Sequence, residues 1–125
     1  MRNWKTTVFL LVLLLVVALA LPARADAIDG NWCSQEGKRI TIAGPAIVTP
    51  GGTRMTGDYD RHYFSYVIPP SEPGAGEIVL MTLMGEELVH IRTGADATQA
   101  ATAPAVAWRR CGPSVSLLQR STNGA

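Results

Sequence analysis

The chain has 125 residues, two cysteines and a formal net charge of +1. That length suits one small domain. Residues 26–125 carry eight Lys or Arg and ten Asp or Glu, about −2, and this near-neutral balance without a basic cluster excludes nucleic acid as a partner.

The chain opens with Arg2 and Lys5 and no acid, followed by an unbroken apolar run over residues 8–21. Pro22 ends the run, because it lacks a backbone donor. Ala23-Arg24-Ala25 then places small residues where signal peptidase requires them. The run is short of the ~20 apolar residues a membrane span needs. The pattern predicts a cleavable signal peptide over residues 1–25, with cleavage after Ala25 or, alternatively, after Ala27. It implies export to the periplasm or the exterior, with no stable membrane span after cleavage.

The exported part is small enough to need help with stability. Cys33 and Cys111 supply it, since an oxidising compartment favours their pairing. The loop they close spans 78 positions, for which the chain-entropy model gives about 4–5 kcal/mol.

Short β-favouring runs alternate with Gly/Pro punctuation along residues 26–112, which predicts an all-β domain. Strands are expected at residues 30–34, 39–43, 46–49, 54–59, 62–68, 77–84, 88–93 and 106–111. Residues 69–76 hold three prolines and two glycines and read as a loop. Residues 77–84 are apolar on both faces, as in a well-covered strand. The Ala/Thr-rich residues 94–104 read as a mobile loop, and the tail, residues 113–125, as disordered.

About eight short strands in meander order predict a closed or partly closed antiparallel barrel, which removes exposed sheet edges. Side-chain parity adds a constraint. Trp32 and Cys33 are adjacent, and Trp108 and Cys111 are three apart, so each pair points to opposite faces. With both tryptophans inward, both cysteines face outward, and a disulfide joins the first and last strands.

The Gly30-Asn31-Trp32 opening of a short β-meander resembles small lipocalin-like bacterial envelope proteins. It also resembles secreted bacterial metalloprotease inhibitors, small β-barrels with one disulfide. Two features depart from the inhibitors. Their short disulfide loop is replaced by a first-to-last link, and their inhibitory arm would be only residues 26–29. The first resemblance implies a ligand held in the barrel, the second a protein partner.

Asp58, Tyr59, Asp60, Arg61 and His62 form the densest polar cluster. Asp58, Asp60 and His62 would share one strand face, the only place for acid–base chemistry. The plainer reading is a solvated turn. His90 sits between apolar Val89 and Ile91 and is expected to face solvent, so no metal site is expected. Arg109 and Arg110 read as a solvated strand end. Trp32, Asp58, Tyr59, Asp60, His62, Tyr66 and Trp108 are candidate ligand or partner contacts. These residues together point to a non-catalytic exported binding protein without cofactor. Its candidate partner is a small apolar ligand or, alternatively, an envelope protein such as a protease bound by an inhibitor.

Overall fold

A computed structural model describes residues 3–19 and 27–112. The expected cleavage pattern at residues 23–25 and the expected disordered tail, residues 113–125, lie outside the described residues. Helix α1 (Trp4–Leu19) comes first. Its large apolar side chains from Trp4 to Leu14 are exposed, and none joins the barrel core. No helix among the described residues is long and apolar enough to cross a membrane.

Nine strands follow: β1 (Gly30–Cys33), β2 (Arg39–Ala43), β3 (Ala46–Val48), β4 (Arg54–Thr56), β5 (Asp58–Asp60), β6 (Tyr63–Val67), β7 (Ile78–Gly85), β8 (Leu88–Gly94) and β9 (Val106–Arg110). They form one antiparallel sheet in the order β4-β3-β2-β1-β9-β8-β7-β6-β5. The two outer strands are consecutive in the chain. Arg54–Thr56 pairs with β3, and Asp58–Asp60 pairs with β6. One stretch of chain thus bridges the two sides of the sheet, and the meander is a nearly closed barrel.

The strand count exceeds eight because Gly57 splits the expected strand at residues 54–59. Its N–H donates to the Pro45 carbonyl at 2.9 Å. A Cβ at Gly57 would overlap the Ser65 carbonyl and the Phe64 ring. Only glycine lets the strand pass this close to β6 while it changes partners.

The loop expected at residues 94–104 contains a helix, α2 (Ala97–Thr102). The Asp96 carboxylate accepts from the Gln99 N–H at 2.8 Å, an N-cap that satisfies an orphan donor. Alanine-rich composition favours helix. Ala100 is fully buried, and a Cβ at Gly94 would strike its backbone, so α2 lies directly on the end of β8.

The inward face follows the period of two. Trp32, Ile40, Ile42, Ile47, Phe64, Tyr66, Val79, Met81, Val89, Ile91 and Trp108 are buried and form one core with Ile28. Cross-strand partners share that core, as in Phe64↔Met81, Met81↔Ile91 and Val89↔Trp108. Pairing between β1 and β9 is short, with registers Trp32↔Arg110 and Cys33↔Arg109. The Cys33–Cys111 disulfide staples this seam from the outside, with a Cα–Cα distance of 5.0 Å. The parity argument holds because the one register shift, at Leu83/Gly85, lies on β7 and not on β1 or β9.

Candidate functional site

The alternation of strand directions sorts the connections to two ends of the barrel. One end carries residues 27–29, the β2–β3, β5–β6 and β7–β8 turns, and Cys111. The other carries residues 34–38, 49–53 and 68–77, and the segment with α2.

The first end is plugged at its centre, and a cavity of about 580 Å³, lined by Asp29, Ile42, Tyr59 and Arg61, flanks the plug on the outside. Ile28 is fully buried, and its N–H donates to the Arg61 carbonyl at 2.7 Å. The Trp32 indole donates to the Ile28 carbonyl at 2.8 Å. Arg110 locks this plug. Its guanidinium donates to the carbonyls of Asp29 and Ala27, each at 2.8 Å, and to that of Glu86, and lies 4.4 Å from the Trp32 ring centroid. The arginine expected to be solvated is therefore a clamp. It is two residues from inward-facing Trp108 and shares its face. Gly30 answers the same geometry. Its φ is +124°, and a Cβ there would lie 2.7 Å from the Arg110 guanidinium.

The second end is open. A cavity of about 330 Å³ enters the barrel there, walled by Ile40, Val79, Ile91 and Trp108. That volume lies at the small end of the range for ligand pockets, roughly 300–1,000 Å³. Tyr66 completes the wall. Its side chain is only 6% exposed, and its ring lies 6.4 Å from that of Phe64. The Tyr66 hydroxyl makes no hydrogen bond among the described residues, and no polar side-chain atom among them is both sealed from solvent and unpartnered. The hydroxyl therefore opens onto the cavity. Burial pushes its pKa up to about 12, and the nearby Glu72 charge adds to this.

The rim is organised by Glu72, on the loop between β6 and β7. Its carboxylate accepts from the Thr49 and Thr53 hydroxyls, each at 2.6 Å, and from the Gly51 N–H at 2.8 Å. Desolvation favours the neutral acid, but these three donors outweigh it and hold Glu72 below the usual carboxylate range. The loop is thereby tied to the β3–β4 turn. Lys38, on the rim, lies 3.6 Å from Glu36, so its charge is locally balanced. A lateral groove between the β1–β2 turn and the start of β9 adjoins the mouth and shares Lys38, Ile91, Thr93 and Trp108 with it.

The structure divides the sequence-derived contacts. Tyr66 and Trp108 meet in the open cavity. Trp32 is fully buried and belongs to the closed end. Tyr59 donates a short hydrogen bond to Asp29, which raises its pKa, and lines a separate cavity with Ala27, Asp29 and Arg61. Asp58 and Asp60 pair with Ser65 and Tyr63 on the outer face. His62 lies in the following turn, where its backbone N–H donates to Asp60 at 3.1 Å. The cluster is the exposed strand β5 and the turn that follows it, and neither Asp58 nor Asp60 lines the two cavities. Among the described residues, no group of three or more His, Cys, Asp or Glu side chains has the spacing to hold a metal ion.

Two residues that organise the site escape sequence reasoning for different reasons. Arg110 was signalled by its parity with Trp108. Glu72 was not, because its partners lie 19 to 23 residues away across two loops. The chain matches no family model, no curated protein and no solved structure.

Proposed function

We propose that the protein is an exported, non-catalytic binding protein that holds a small apolar ligand in the open end of its barrel. One observation carries this reading. The barrel is filled at one end by Ile28, Trp32 and Phe64, yet a cavity of about 330 Å³ remains at the other, with Tyr66 presenting a donor that no group among the described residues accepts. A barrel of this size has room for side chains or for one small ligand. The lipocalin-like resemblance agrees with a ligand in the barrel mouth. An inhibitory arm fits less well, because residues 27–29 are bound into the closed end by Arg110 and Arg61.

Export rests on the signal pattern and on the exposed apolar face of α1, which the barrel core does not use. The disulfide suits an oxidising compartment. Cleavage after Ala25 retains the Ala27 carbonyl that Arg110 holds, whereas cleavage after Ala27 removes it.

A second reading, binding of an envelope protein, draws on residues 69–76. This loop is braced by backbone hydrogen bonds from Glu72, Ala75, Gly76 and Glu77 and exposes Pro70, Ser71 and Pro73. Native mass spectrometry of the protein from its own exported fraction separates the two. A reproducible extra mass, lost on denaturation, supports the ligand reading. A bare oxidised chain removes that support and directs attention to the loop, to be tested by loop replacement and pull-down. The same spectrum reads the cleavage site.

A further inference from the structure

We infer that the ligand is an uncharged amphiphile, whose acceptor oxygen takes the Tyr66 O–H while its hydrocarbon part lies against Ile40, Val79, Ile91 and Trp108. This inference rests on the pocket reading above and adds the chemistry of the head group.

Three observations converge. First, Tyr66 is 6% exposed, and its hydroxyl opens on the cavity without a partner among the described residues. Water in the open cavity can satisfy this hydroxyl in the free protein; a hydrocarbon that displaces the water leaves the O–H unpaired, so a ligand oxygen that accepts from it gains over a hydrocarbon of the same shape.

Second, the two charges that line the mouth, Lys38 and Glu72, are already engaged. Glu72 is fixed by three donors, while Lys38 lies 3.6 Å from Glu36. A carboxylate head would lose hydration beside the ionised Glu72 without a free cation at the described mouth to compensate it.

Third, the acceptor capacity of Glu72 is mostly taken. Two donors, Thr49 and Thr53, occupy Oε2, and the Gly51 N–H occupies one position on Oε1. A cationic head would share Oε1 with Gly51 and lose much of its hydration in return. An alcohol, ketone or ester oxygen meets Tyr66 without either cost.

The test is a titration of the oxidised protein with octane, octanol, octanone, octanoate and octylammonium, followed by tryptophan emission and by calorimetry. The apolar part is the same throughout, so differences report the head. Octanol and octanone should bind at least tenfold more tightly than octanoate or octylammonium. Tyr66→Phe should weaken the two neutral oxygenated ligands several-fold and leave octane unchanged, with the far-ultraviolet spectrum unaltered. Glu72→Gln should narrow the gap between octanol and octanoate. Equal binding across the series, tighter binding of either ion, or indifference to Tyr66→Phe overturns the head-group assignment and leaves the pocket reading in place. Failure of every probe, octane included, overturns both.

Discussion

Arg110 offers the sharpest check on how the barrel is closed. Its guanidinium serves the carbonyls of Ala27, Asp29 and Glu86 and stacks over Trp32. Hydrogen bonds from a charged donor contribute about 1.5–3 kcal/mol each, and a cation over an aromatic ring about 0.5–2 kcal/mol. The guanidinium is only partly buried, so solvent screening reduces the sum. Methionine keeps much of the stem packing. Arg110→Met should therefore cost about 3–5 kcal/mol, a large share of the ~5–15 kcal/mol stability of a small domain. With a urea slope of about 1–3 kcal/mol per molar, the midpoint should fall by more than ~1 M. Loss of the clamp also frees Ile28 and wets the Trp32 indole, so native-state emission should shift to longer wavelength. Arg110→Lys should recover only part of the loss, since an ammonium cannot reach three carbonyls as a planar fork does. A midpoint drop under ~0.3 M for Arg110→Met, with unshifted emission, would refute the clamp.

Replacing Cys33 and Cys111 by serine should cost about 4–5 kcal/mol by the loop-entropy model, measured by denaturant unfolding of the variant against the oxidised wild type. A cost under about 1 kcal/mol would mean that the short β1–β9 seam holds without its staple. Gly57→Ala should destabilise by about 1–3 kcal/mol through overlap with Ser65 and Phe64. Gly85→Ala, where an added Cβ meets nothing within 4 Å, should stay within about 0.5 kcal/mol. Glu72 has a depressed pKa in the fold, so its contribution is complete above the ordinary glutamate value of about 4.3 and fades as pH falls through the lower folded value. Thermal melts should show wild type losing more stability than Glu72→Gln on acidification across that window. Parallel losses would exclude the carboxylate as the tie between the two loops.

The barrel was legible because its signals are local and periodic. Alternation in Ile40-Thr41-Ile42, the Pro50-Gly51-Gly52 reversal and the parity of Trp32 and Cys33 each fix a face or a turn within a few residues. The closure was less legible. Gly57 reads as one residue of a single strand, and only the approach of Phe64 and Ser65 shows why the chain changes partners there. The helix α2 was hidden by low complexity, although Asp96 and the alanines after Thr98 are ordinary helix signals. For the site, parity placed Trp108 in the interior and Tyr66 stood among the candidate contacts, but neither reading could say which end of the barrel stays open. That depends on Ile28, an isolated residue ahead of the first strand, folding back as a plug. Charge density also misleads at residues 58–62, where the Asp60 carboxylate caps a turn while one acid of the proline-rich loop organises the mouth.

The ligand-binding account is tested most directly by backbone amide and indole NMR shifts of the oxidised protein on titration with octanol. The account predicts saturable shifts at Ile40, Tyr66, Val79, Ile91, Thr93 and Trp108, with Trp32 and residues 58–62 unmoved. Shifts confined to residues 58–62, or none at the barrel mouth at saturating octanol, would contradict it.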